Sequence, residues 1–292
     1  MTATPPFMMF GLAVYIGDDG YASLMDSLTE REVDFEYVVN QRSLLLSYED
    51  RDDLEKEDYK LIKSYDVPFR GRKSWPSFRS YKPGFYPWLM DDEEARLMLL
   101  GMEQSMEVYQ EITDGLDMPD MLFDEEVLVK VPHEEKGPVV FQNQVVELED
   151  IAEEAPEVPL AVSELALKRV KKLAKLPAAI EFTMEYMDMP VQNEPDERPV
   201  FPLLVLAVDQ TQGLIMYQNL VSNDLSPAIL QGEFLKMLES IKGIPETIMI
   251  DEKTAHFLAP LMDKLNLRFE VKDSLPLIRQ VIDMLHEGMP SY

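Results

Sequence analysis

Apolar and polar positions alternate along the first half of the chain in short blocks, and each block predicts an element. The run 10–16 closes on Gly17-Asp18-Asp19-Gly20, the pattern of a strand, a turn and then a short helix over 21–28. Residues 35–39 and 43–48 flank Asn40-Gln41-Arg42 and predict a hairpin. Leu54, Tyr59, Leu61, Ile62 and Tyr65 recur at helical spacing over 52–65. Asp91-Asp92-Glu93-Glu94 opens a further helix, with its carboxylates on the first turn, where the helix dipole favours negative charge. Leu97, Leu100, Met106, Val108 and Ile112 continue it, and it should stop near Gly115. Residues 127–131 and 139–148, on either side of Gly137-Pro138, predict a second hairpin, so this half is expected to be α+β.

The second half opens on a predicted basic helix over 163–176, followed by a strand over 179–187 and a polar, proline-containing loop over 192–199. Two apolar runs, 201–208 and 214–221, are joined by Gln210-Thr211-Gln212-Gly213 and predict an antiparallel hairpin. Helices over 228–241, 254–265 and 277–287 alternate with short strands over 247–250 and 268–271. The order strand, strand, strand, helix, strand, helix, strand, helix predicts an α/β domain with crossovers and a mixed sheet flanked by helices. Glu147, Glu149, Asp150, Glu153, Glu154 and Glu157 with Pro156 and Pro159 mark an exposed connector. The expected division is an acidic domain over 1–150, a connector over 151–162 and a second domain over 163–292.

Charge sharpens this division. The 292 residues carry a net charge of −28, and 46% are hydrophobic, enough to build cores. Residues 1–155 hold 14 basic and 35 acidic side chains, whereas the remainder hold 13 and 20. Such a field disfavours general binding of nucleic acid or an anionic membrane. There is no cysteine, so disulfides, thiolate metal sites and cysteine nucleophiles are excluded. His133, His256 and His286 show no ligand spacing and read as structural or exposed, and the 19 methionines read as adaptable core filler. The N-terminus lacks a basic region ahead of its apolar residues, and no apolar run approaches membrane length, so a cytoplasmic location is expected.

Three aspartates are the first candidates for chemistry. Asp209 ends the run Leu203-Leu204-Val205-Leu206-Ala207-Val208, Asp251 ends Glu246-Thr247-Ile248-Met249-Ile250, and Asp283 lies on the last predicted helix. Taken with Gly243-Ile244-Pro245, this stretch resembles the ribonuclease-H-like core of retroviral integrases and transposases. In that core an aspartate on a hairpin strand, a second after a G-x-P-x-x-I-x-x-D pattern and a third carboxylate on a helix hold two divalent metals. The resemblance implies Mg²⁺ or Mn²⁺ at Asp209 and Asp251, Asp283 as a weaker third ligand, and nuclease or strand-transfer chemistry. The third position departs from the family, which usually has glutamate there near a glycine or asparagine. Aspartates at strand ends also cap turns, and by that reading these carboxylates are caps and surface groups on an inactive form of the fold.

The second candidate is the segment 67–90, which is basic, aromatic and free of acidic residues. Arg70, Arg72, Lys73, Trp75, Arg79, Tyr81, Lys82 and Trp88 could form an irregular platform for anions or nucleic acid. Alternatively, its rings plug the core while its cations neutralise neighbouring carboxylates. This segment, with residues 10–20, looks like the N-terminal domain of an uncharacterised two-domain bacterial family. Arg198-Pro199-Val200-Phe201-Pro202 and residues 243–251 similarly resemble the domain that accompanies it. A third candidate is the basic helix, on which Lys168, Lys171, Lys172 and Lys175 would share one face.

The expected function is that of a non-enzymatic cytoplasmic module that binds a protein partner and uses no cofactor, with nucleic acid restricted to the local basic patches. The metal-dependent enzyme is the alternative. A third reading is an acidic mimic of nucleic acid.

Overall fold

The computed structural model describes residues 11–29, 35–121, 123, 125–133, 139–147 and 157–287. These fall into two units, neither continuous in sequence: the first draws on 1–24, 42–80 and 88–156, the second on 25–41, 81–87 and 157–292. Two segments from the first half of the chain therefore cluster with the second unit.

In the first unit, β1 (Gly11–Tyr15), β2 (Ser43–Glu49) and β3 (Trp75–Tyr81) form a sheet in the order β1-β2-β3, with β1 and β2 antiparallel. Leu44 and Leu46 are buried with Met98 of helix α4 (Asp92–Thr113), ringed by Leu12, Val14, Phe78 and Met102. The start of α4 is fixed by a capping box, in which Asp91 accepts from the Glu93 and Glu94 amides and Glu94 reaches back to the Asp91 amide. Helix α1 (Gly17–Thr29) follows β1, and a 3-10 turn, Arg51–Asp53, leads into α3 (Lys56–Ser64). Strands β4 (Glu126–His133) and β5 (Val140–Glu147) pair antiparallel as the alternation predicted. The Gly137-Pro138 turn and connector residues 148–156 lie outside the described residues.

The second unit is built on a mixed five-stranded sheet in the order β10-β9-β6-β7-β8. Its strands are β6 (Ala174–Tyr186), β7 (Leu203–Asp209), β8 (Ile215–Val221), β9 (Gly243–Ile250) and β10 (Phe269–Val271). β7 runs antiparallel to β6 and β8, whereas β9 runs parallel to β6 and β10. Helices α5 (Glu164–Val170), α6 (Pro227–Ser240), α7 (Glu252–Leu265) and α8 (Pro276–Glu287) complete the element order expected from the sequence.

The unbroken apolar run of β7 follows from burial on both faces. Leu203, Val205 and Ala207 point into one core with Phe182, Met184, Phe234, Leu238 and Leu258. Leu204, Leu206 and Val208 alternate into a second core with Ile278, Val281 and Ile282 of α8. β6 obeys the same period of two: Phe182 and Met184 face the first core, and Glu181, Thr183 and Glu185 face the α8 side.

Three local expectations are corrected. Residues 35–39 are not a hairpin strand but lie in helix α2 (Phe35–Asn40), whose Val39 is buried in the first core of the second unit. The segment 67–90 is not wholly irregular, because it contributes β3. The basic helix ends at Val170, and Ala174 begins β6 by pairing with Gly243 of β9, so tertiary pairing overrides the helical spacing there. Among the described residues, no helix is long and apolar enough to cross a membrane.

Candidate functional site

The carboxyl ends of the parallel strands β6 and β9 open into a cleft of about 500 Å³ in the second unit, walled by α2 and the starts of α7 and α8. Such a position is where open α/β sheets present groups to ligands. Its floor includes Thr183, Glu185 and Asp251, and Lys253, Asp273 and Arg279 stand on its walls.

Asp251 is the N-cap of α7. Its Oδ1 accepts the Thr254 amide at 2.7 Å, and its Oδ2 accepts the hydroxyls of Thr254 at 2.8 Å and Thr183 at 2.9 Å. Both threonines are 2% exposed, so the carboxylate satisfies buried donors. Glu181, itself buried, performs the matching task for α8: its Oε2 accepts the amides of Leu277 at 2.9 Å and Ile278 at 3.1 Å. This places a negative charge on the helix N-terminus.

Glu185 has a different environment. Burial raises its pKa, the Arg279 guanidinium 3.9 Å away opposes that shift, and the charges of Asp251 and Glu36 reinforce it. Lys253 crosses the cleft mouth, donating to Asn40 Oδ1 at 3.2 Å, with Glu36 3.8 Å away and the Tyr186 ring beneath it. Burial likewise holds the Tyr186 phenol in its neutral form, and its hydroxyl donates to the Asn223 carbonyl.

The three sequence-predicted aspartates are not brought together. Asp209 is opposite Ile180 on β6, whereas Asp251 is held by Thr183, on the other side of β6 and on the opposite pleat. Three residues of rise and two strand spacings separate them by roughly 14 Å. Asp209 Oδ1 accepts the amides of Thr211 and Gln212, which closes the β7–β8 turn. Asp283 is exposed on α8. Among the described residues, no group of three or more histidine, aspartate or glutamate side chains is placed to hold a metal ion.

The basic and aromatic candidates are largely occupied within their own unit. Trp75 is buried against Tyr59 and Phe69. Arg79 donates to both Asp58 carboxylate oxygens, at 2.9 and 2.5 Å, with Glu55 3.1 Å away, and these contacts raise its pKa further. Lys73 meets Glu49 at 3.1 Å and Asp53 at 3.7 Å, Arg72 lies 3.8 Å from Asp50, and Arg70 is exposed. The Trp88 backbone bridges to Ser80, while Tyr81 and Lys82 belong to the second unit and are half-buried. Lys168 pairs with Glu164 at 3.4 Å. Lys171 is the C-cap of α5, Lys172 lies beyond it and Lys175 is on β6, so the four lysines do not share a helix face.

Sequence reasoning missed Glu181, Thr183, Glu185, Lys253 and Arg279. The detectable signal was the strict polar alternation Glu181, Thr183, Glu185 between Phe182, Met184 and Tyr186.

Distant structural likeness exists to the HTLV-2 integrase catalytic core domain in complex with magnesium, at 9% identity and a TM-score of 0.29, covering 40% of this chain and 70% of that one. The Mos1 strand transfer complex gives 11% identity and a TM-score of 0.23, covering 50% of this chain and 64% of that one, so less than two thirds of the Mos1 chain is spanned. The Mos1 transposase paired-end complex with left transposon end gives 9% identity, the same TM-score and the same coverage. No curated protein matches the chain. Residues 7–130 match the family model described as Domain of unknown function (DUF7309) and residues 166–286 match Domain of unknown function (DUF6930).

Proposed function

We propose that the protein acts by binding a partner protein in the cytoplasm, on a second unit that is an inactive form of a ribonuclease-H-like domain. The observation that carries this reading is the engagement of Asp251: both its oxygens accept bonds from structural donors, three in all, and the β6 residue beside it is threonine, not a carboxylate. A metal-dependent phosphodiester reaction needs several carboxylates converging on the ions, and Asp209 instead closes a turn on the far side of β6. In this reading the cleft is a recognition site. Glu185 on its floor and Arg279 on its wall offer one acceptor and one cation, suited to polar groups of a partner.

The test is incubation of single- and double-stranded DNA and RNA with the purified protein and Mn²⁺. The expected result is no cleavage or strand transfer above a metal-only control. Cleavage that disappears in Asp209→Asn or Asp251→Asn overturns the proposal in favour of the enzyme.

A further inference from the structure

Helix α4 runs for 22 residues, yet its only buried side chains are Glu94 and Met98. Ala95, Leu99, Met102, Met106 and Tyr109 fall at successive a and d positions of a heptad, the spacing of a seam made for another helix. Met102 turns partly into the core, but Leu99 is 54% exposed and Met106 and Tyr109 are each 72% exposed. An apolar row of this size facing solvent marks an interaction surface. Along its outer flank the helical turn places Asp92, Glu103 and Glu107, with Arg96 among them and Lys130 of β4 3.8 Å from Glu107. The surroundings add to this acidity, because residues 1–155 hold 35 acidic side chains against 14 basic ones.

We propose that the α4 face docks an amphipathic helix of a partner protein whose apolar stripe is flanked by lysine and arginine. The inference rests on the reading that the chain works by binding, and it specifies the surface and the chemistry of the partner. Charge decides the occupant. A second copy presenting the same face would bring acidic flanks against acidic flanks, whereas a basic flank gains attraction and faster association. The anchors would be Leu99, Met106 and Tyr109, read by a helix laid along α4.

The probe is a fluorescein-labelled amphipathic peptide of about three heptads, with leucine at a and d and lysine at e and g, compared with a twin carrying glutamate at e and g. Binding to the full chain is followed by anisotropy at low and high salt. The lysine peptide should bind and the glutamate twin should not. Met106→Glu and Tyr109→Glu should each weaken binding by about tenfold or more, and raised salt should weaken it further. Because both side chains are exposed, the variants should keep the parent circular dichroism and melting temperature, so a loss of binding reports on the surface.

Absence of lysine-peptide binding, equal binding of the twin, or binding indifferent to both substitutions overturns the proposal. A dimer in light scattering that Met106→Glu dissociates also overturns it, by making the occupant a second copy. Cleavage in the Mn²⁺ assay strikes the underlying binding role instead, so the two failures are distinguishable.

Discussion

Replacing Asp251 with alanine separates a structural carboxylate from a metal ligand. The substitution removes the N-cap of α7, worth about 1 kcal/mol. It also strips the acceptor from two hydroxyls, Thr183 and Thr254, that are almost fully buried. Each buried donor left without a partner costs about 1–2 kcal/mol, less where the hydroxyl can rotate to another acceptor. The sum is a loss of about 3–4 kcal/mol, or roughly a 10 °C fall in Tm for a unit of this size. Asp251→Asn keeps one carbonyl oxygen for the Thr254 amide and should lose only about 1 kcal/mol. Urea unfolding monitored by circular dichroism measures both variants. If Asp251→Ala loses less than about 1 kcal/mol, the carboxylate is not satisfying those donors and the reasoning fails.

Three further outcomes follow from the same physics. Glu185 has a raised pKa in the folded state, so folding binds its proton more tightly than the unfolded chain does. Its burial penalty is absent below the ordinary carboxylate range and fully present above the raised value. Glu185→Gln should therefore stabilise the protein at neutral pH, and the gain should vanish as the pH falls below 4.5 in thermal melts across pH. Asp58→Ala leaves the Arg79 guanidinium beneath the surface without its bidentate partner and should cost about 3–5 kcal/mol in urea unfolding, whereas the apolar pair Asp58→Leu with Arg79→Met should recover much of it. Gly84→Ala should lower Tm by several degrees, about 1–3 kcal/mol of strain, because its φ is +76° and a Cβ would sit 2.8 Å from Asn223 Cβ and from the Tyr186 hydroxyl.

The architecture of the second unit was legible because its elements carry strong local signals. The β7 run, the four-residue turn after it and the amphipathic helices each specify one state. Helix α2 was not legible: Phe35, Tyr37, Val38 and Val39 favour strand by propensity, and the helix is favoured by packing Phe35 and Val39 against the second-unit core. The start of β6 was hidden for a similar reason, since Ala174, Lys175 and Leu176 pair with residues about 70 positions away. Sequence also placed Asp209 and Asp251 correctly at strand ends. It could not show that β9 and β7 flank β6 on opposite sides, one parallel and one antiparallel, which leaves the two carboxylates on opposite sides of β6 and three residues apart along it. The pairing of the cations in segment 67–90 with carboxylates was legible, because they lie in a half rich in acidic residues, where Arg72, Lys73 and Arg79 meet Asp50, Glu49 and Asp58.

The central claim is that the second unit holds its carboxylates for structure and recognition, not for metal chemistry. Anomalous diffraction from crystals soaked in MnCl₂ tests it most directly. The account predicts no manganese shared between Asp209 and Asp251, with the Thr183 and Thr254 hydroxyls still seated on Asp251. Manganese bound at Asp251 together with Asp209 or Asp283, displacing those hydroxyls, would contradict it.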